Sequence, residues 1–272
     1  MLLTKLNRYR LLQNKKEVLF LYGLQRIKNF SILKLFTSPY WAIQDIKSMN
    51  IANPLYDISL YKTSIENFQK YNYNIGNIYK SKNRKSVVLR HDIDTLKCVD
   101  NIPMFLKIEL AYNLSASYFF RVDNIDYKAE YCIQSVKLLK ENNMHIGLHS
   151  LAYNGGDIFN NLATEIDDFK RYFGFLPDSY NFHGGFDKFL VNRLYLSNNF
   201  RKVKKRFPHF LISDSMSSYY DYHITDCRFQ SGKRYLRLNS HNCNKGIINI
   251  IKPKIVYLTH PCYWNPESYD SI

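Results

Sequence analysis

Apolar and polar positions fall into a repeating rhythm from residue 86 onward. Short apolar runs rich in Val, Ile, Tyr and Phe are each followed by a longer amphipathic segment. "SVVLRHDID" (86–94) precedes "NIPMFLKIELAYNL", "SASYFFRV" (115–122) precedes "AEYCIQSVKLLKENN", and "MHIGLHS" (144–150) precedes "IFNNLATEIDDFKRYFG". After "SYNFHGG" (179–185) come a helical stretch at "KFLVNRLYLSNN", a strand at "HFLISDS", a weaker one at "RYLRLNS", and the strand "KIVYLTHP". Strands that alternate with helices imply parallel pairing through βαβ crossovers. Six or seven such units suit a barrel or an open doubly wound sheet. Before them, residues 1–58 read as a basic, helical extension in which Val18, Leu21, Leu24, Ile27 and Phe30 share one stripe. "SIENFQKYNYNIGNIYK" adds a helix and connector, so residues 59–272 form the main domain.

The polar residues fall where each strand ends: Asp92 and Asp94, Arg121 and Asp123, His149 and Ser150, His183, Asp214 and Ser215, and His260. In α/β barrels and sheets, active sites assemble at that end. Strand alternation puts Arg90, Asp92 and Asp94 on one side of the first strand, with Leu89, His91 and Ile93 on the other. Two like charges on one face need a cation, a proton or a basic partner between them. A carboxylate and two neutral imidazoles, drawn from Asp92, Asp94, His149 and His183, describe a catalytic zinc-type site with one open position. His145, His209, His223 and His241 read as ordinary packed or surface residues.

Composition narrows the class. The chain has 272 residues, 46% of them hydrophobic, with few Gly and Pro, which fits an ordinary globular protein. A net charge of +15 favours a substrate or surface that carries negative charge, such as phosphorylated or lipid-linked sugars or an anionic membrane face. The basic runs lie in connectors, away from the strand ends, so nucleic acid is not an expected partner. The five Cys are scattered and lack CxxC spacing, as in reduced thiols of a cytoplasmic protein, in solution or peripheral at the inner membrane face.

"VVLRHDID", "HIGLHSLAYNGG", "EIDDFKRYFGFLPDSYNFHGG" and "VYLTHPCYW" occur in the order and roughly the spacing of the metal-dependent polysaccharide deacetylases. Residues 60–266 resemble a divergent branch of that family whose first motif reads His-Asp-x-Asp. The resemblance implies an α/β fold, a distorted (β/α) barrel of about seven parallel strands. It also implies one divalent metal ion, usually Zn2+, and hydrolysis of an N-acyl group, acetyl or formyl, from an amino sugar of a surface polysaccharide or glycolipid. Carried over, Asp92 is the general base, Asp94 and His149 bind the metal, and His260 protonates the departing amine. Tyr153 stands where the family has its second metal His, so His183 is the expected replacement. Arg90 is expected to orient Asp92, and Tyr153, Asp214 and Trp264 to contact substrate. Two alternatives remain open: a glycosyltransferase that holds a metal and a nucleotide sugar through Asp92-x-Asp94, and a degenerate, non-hydrolytic relative.

Overall fold

In the computed structural model, the described residues are 56–79, 85–123, 127–152, 157–183, 200–213, 221–226, 235–237 and 253–265. The apolar stripe at 18–30 and the helix expected at 188–199 lie outside them.

The strands at the centre are β3 (Ser86–Ile93), β4 (Ser117–Phe120), β5 (His145–Ser150), β6 (Ser179–Phe182) and β10 (Lys254–Thr259). Shorter strands are β2 (Asn74–Gly76), β7 (Ile212–Ser213), β8 (Tyr222–Thr225) and β9 (Tyr235–Arg237). They form one sheet in the order β7-β6-β5-β4-β3-β10-β8-β9, and every pair in it is parallel. Strand β2 pairs with Ser86–Val88 of β3, below the part of β3 that pairs with β4. Nine described strands thus replace the seven or so expected, because β2 and β8 are too short to stand out as apolar runs. A separate pair joins β1 (Tyr56–Asp57) to β11 (Trp264–Asn265).

The sheet curls. Strand β6 is the third neighbour of β3, which in a flat sheet would put them about 14 Å apart at roughly 4.8 Å per strand. Yet Asn181 Nδ2 on β6 donates to Asp92 Oδ1 on β3 at 2.8 Å, across the concave side. The architecture is a distorted (β/α) barrel.

Alternation along β3 sorts its side chains as the sequence predicts. Val87, Leu89 and Ile93 join the large core between sheet and helices, whereas Val88 packs with Ile78, Phe119, Val256 and Leu258 inside the curl. Gly147 of β5 faces Phe119, and a Cβ there would collide with the Phe119 ring and Ser179 Oγ. That inner apolar plug forms the floor on which the polar strand ends sit.

The helices close the outer face. Helix α1 (Ile58–Lys70) begins at Asp57, whose carboxylate accepts from Ser59 N at 2.8 Å, and buries Ile58, Tyr61, Ile65 and Phe68. It starts and stops earlier than "SIENFQKYNYNIGNIYK" suggested. Helices α2 (Leu96–Asp100) and α3 (Ile102–Ala111) follow β3, α4 (Ile133–Glu141) follows β4, and α5 (Ile158–Phe173) follows β5. Helix α5 is capped by Asp157 and ends at Gly174, whose φ of 78° is the left-handed conformation glycine adopts without strain.

Candidate metal centre

Four strand ends meet above the inner plug. Asp94 follows β3, His149 lies on β5, His183 follows β6 and His260 follows β10. Asp94 Oδ1 lies 3.0 Å from His149 Nε2 and 3.1 Å from His183 Nδ1, and the two imidazole nitrogens are 3.2 Å apart. This triangle approaches the roughly 3.3 Å between ligand atoms of a tetrahedral ion held at about 2.05 Å. Among the described residues it is the one group of three such side chains whose donor atoms converge.

The hydrogen bonds around the triangle argue for a cation at its centre. Asp92, an acceptor when ionised, receives Asn181 Nδ2 at Oδ1, so the Asn181 carbonyl oxygen must face His149 Nδ1. Nδ1 then carries the proton of a neutral His149, and Nε2 presents a bare lone pair to the Asp94 carboxylate. Lone pairs that face each other at 3.0 Å repel unless a positive charge lies between them. The side chains of Asp94 and His183 are 19% and 25% exposed, so the triangle opens towards solvent.

Asp92 sits deeper. Arg90 grips it through Nε to Oδ1 at 2.8 Å and a second guanidinium nitrogen to Oδ2 at 2.6 Å. Both residues are buried, so the pair lies inside the barrel and is no rim salt bridge. Oδ2 is 3.8 Å from His149 Nε2, beside the triangle without being part of it. Burial pushes the Asp92 carboxyl up, and Arg90, His149 and His260 together bring it below its usual value.

His260 also borders the triangle, with Nε2 3.6 Å from Asp94 Oδ2. Its Nδ1 pairs with Asp226 Oδ1 at 2.6 Å, and its backbone N–H donates to Asp226 Oδ2 at 2.7 Å. Trp264 Nε1 donates to the same Oδ2 at 2.8 Å. This corrects one expectation: Trp264 is wholly buried and braces Asp226, because its indole packs against Tyr56, Tyr61 and Phe105 and leaves no face for a substrate. Tyr153 and Asp214 lie outside the described residues.

Among the described residues, the strand-end pattern is mostly a pocket pattern, and Ser150 departs from it. Arg121 pairs with Asp123 at 2.8 and 2.6 Å and reaches the Asp94 carbonyl oxygen at 3.3 Å, which places it next to the triangle. Ser150 points the other way, and its hydroxyl donates to Glu165 on α5. His145 is an interior residue, paired with Asp178 at 3.0 Å and with Ser179.

Sequence reasoning missed Asn181 and Asp226. Asn181 precedes His183 by two and so shares its strand face, the relation used for Asp92 and Asp94 but not applied there. Asp226 ends β8 in the strand-end position, but "YHIT" is too short and too polar to be noticed.

Comparison with protein-family models and with curated proteins gives no match. Solved structures are similar in part. A CE4 family pseudoenzyme from Bacillus anthracis matches at 14% identity and a TM-score of 0.41, over 70% of this chain and 59% of its own. The catalytic domain of a peptidoglycan N-acetylglucosamine deacetylase from Eubacterium rectale matches at 14% and 0.43, over 66% and 77%. A polysaccharide deacetylase from Bacillus cereus matches at 18% and 0.42, over 69% and 84%. The chain thus spans about 59% of the pseudoenzyme's length. These matches include deacetylases and a pseudoenzyme, so the chemistry of this chain is argued from its own residues.

Proposed function

We propose that this chain is a metal-dependent hydrolase that removes an N-acyl group from an amino sugar. One observation carries the reading: the Asp94–His149–His183 triangle is bordered at 3.8 Å by a carboxylate held ionised by Arg90 and at 3.6 Å by an imidazole held by Asp226. Asp94, His149 and His183 would hold the ion, and two nitrogens with one oxygen suit zinc better than a hard ion such as manganese. When bound, the ion supplies Lewis-acid polarisation of the acyl oxygen and acidifies water.

The protein residues divide the proton work. Asp92, ionised at neutral pH, accepts at Oδ2 the proton of the water that attacks the acyl carbon. Arg90 and Asn181 fix its plane. Asp226 keeps the His260 Nδ1 proton in place and stabilises the imidazolium, whose Nε2–H donates to the leaving amine. The water proton ends on Asp92 and the His260 proton on the amine, so the products are a carboxylic acid and a free amino sugar. The glycosyltransferase alternative loses ground here. It needs both aspartates on one ion, and Asp92 is occupied by Arg90 and Asn181.

The charge of +15 favours a nucleotide- or lipid-linked sugar and contact with an anionic membrane face. No helix of the described residues is long and apolar enough to cross a membrane. The test is to measure metal content and acid release from nucleotide-linked, lipid-linked and oligomeric N-acetyl and N-formyl amino sugars. Stoichiometric zinc with acid release, lost by about 10²- to 10⁴-fold in His260→Ala while zinc is retained, is the expected result. Zinc without turnover on any substrate would point to a non-hydrolytic relative, and failure to bind any divalent metal would sink the proposal.

A further inference from the structure

The same two-residue device occurs near the ends of two neighbouring strands. Arg90 and Asp92 form it on β3, and Arg121 and Asp123 form it just past β4, each through Nε at 2.8 Å and a second guanidinium nitrogen at 2.6 Å. Side chains two apart in an extended chain share a face, so an Arg-x-Asp pair can close on itself there. On β3 the arginine serves the aspartate. On β4 the service runs the other way, because Arg121 Nη1 donates onward to the Asp94 carbonyl oxygen at 3.3 Å. Strand β3 ends at Ile93 and Thr95 caps α2, so Asp94 is the single residue between ladder and helix. The pairing of Asp92 with Phe119, continued by two residues, sets Arg121 beside it. Tyr127 adds a second tie, as its hydroxyl accepts from Arg121 N at 2.9 Å and donates to the Ile93 carbonyl oxygen at 2.8 Å.

We propose that Arg121 is a positioning residue for the metal centre: clamped by Asp123, it fixes the Asp94 backbone and so aims the Asp94 carboxylate at the point where His149 Nε2 and His183 Nδ1 converge. The proposal rests on the reading of Asp94, His149 and His183 as metal ligands. Asp94 belongs to no ladder, so without this bracket its carboxylate would hang from a connector that only its two neighbours restrain. Groups that hold a ligand from behind are worth nearly as much to a metal site as the ligand's own geometry, and they must keep it within about 0.5 Å of its place.

The chemistry of the pair suits the task. A guanidinium is a planar fork, so two of its nitrogens can lock onto one carboxylate while the third still points at a carbonyl. A lone guanidinium beside a cation site would repel the cation. Asp123 cancels that charge, and the pair can hold Asp94 without opposing what Asp94 binds. Burial keeps the arrangement fixed, since the side chains of Arg121 and Asp123 are only 3% and 15% exposed and neither can leave the other unpaired at low cost. Lysine could not take over. It carries one nitrogen and no fork, so it cannot grip Asp123 at two points and reach the Asp94 carbonyl as well.

The experiment compares the full-length wild type with Arg121→Lys, which keeps the charge beside Asp123, and with Asp123→Asn, which keeps the arginine but loosens its clamp. Zinc affinity is read by competition with a chelator, coordination geometry by the visible bands of the cobalt(II)-loaded chain, and folding by the Tm of the metal-free protein. The expected result is zinc affinity weaker by about 10- to 100-fold in Arg121→Lys, a smaller loss in Asp123→Asn, and altered cobalt bands in both. Should Arg121→Lys not fold, Asp123→Asn carries the same test. Wild-type affinity in the folded variants would overturn the proposal whatever happens to the Tm, because an arginine that only supports the fold lowers Tm and leaves the ion alone. Weaker binding with unaltered bands would also overturn it, since the carboxylate would not have been re-aimed. A wild type that takes up neither ion would remove the ligand reading and this proposal with it, whereas variants that bind as the wild type does would overturn the proposal alone.

Discussion

The two faces of β3 carry the same kinds of side chain and put them to different use. On the outer face, His91 is fully buried, with Nε2 2.7 Å from Glu109 Oε1 and Nδ1 2.6 Å from Thr259 Oγ1. Tyr61 and Tyr118 donate to the same Glu109 carboxylate at 2.8 and 2.7 Å, and burial, with Glu109 beside them, raises both phenols well above their usual range. Each polar atom there faces a partner of the complementary kind. On the inner face, Arg90 and Asp92 are matched in that way, but Asp94, His149 and His183 aim three acceptor-capable atoms at one point. An acid with an imidazole is therefore no signature by itself. What separates structural bolt from metal centre is whether donors and acceptors balance without an added charge.

The largest effect should come from breaking the imbalance itself. His149→Ala or Asp94→Ala is expected to remove the ion and cut turnover at least about 10³-fold, read by metal analysis and acid release, with the protein still folded. Retention of a stoichiometric ion in both variants would mean the triangle is not the site.

The reverse pattern is expected on the outer face. Glu109→Ala leaves His91, Tyr61 and Tyr118 buried without their acceptor, and should cost about 3–5 kcal/mol in chemical denaturation while the ion is kept. A loss under 1 kcal/mol would erase the distinction drawn between the faces.

Asn181 connects the two halves of the inner face, since its oxygen fixes the His149 tautomer and its amide holds Asp92. Asn181→Ala should weaken zinc affinity by about 10- to 100-fold in competition with a chelator. Unchanged affinity would mean that packing alone orients His149.

The smallest effect concerns Glu165, on the outer side of β5. Burial pushes its carboxyl from 4.5 up to about 7, despite hydrogen bonds from Ser150 and the Leu151 N–H. A group raised on folding stabilises fully below its unfolded pKa, and that contribution is lost as pH rises through the folded value. The Tm of the wild type relative to Glu165→Gln should therefore fall as pH rises from about 4.5 to about 7. A constant difference across that range would contradict the assignment.

Much of this was legible along the chain, for a local reason. Val87 to Asp94 sort onto two faces because side chains alternate along any strand, whatever surrounds it. The gathering of Asp92, Asp94, His149, His183 and His260 followed from parallel topology, which brings all strand C-termini to one end. Trp264 was misread because a residue next to a site can face the core as readily as the pocket, and only packing decides which.

The sequence by itself determined the periodicities, and with them the βαβ order, the side of each strand a residue takes, and the set of polar residues at one end of the sheet. Only the tertiary structure decided how far the sheet curls, and so which polar atoms touch. Alternation is a property of the backbone and is written locally. Hydrogen-bond balance depends on atoms brought within about 3 Å from strands that are distant in the chain, as when Asn181 reaches across from β6 to Asp92 on β3.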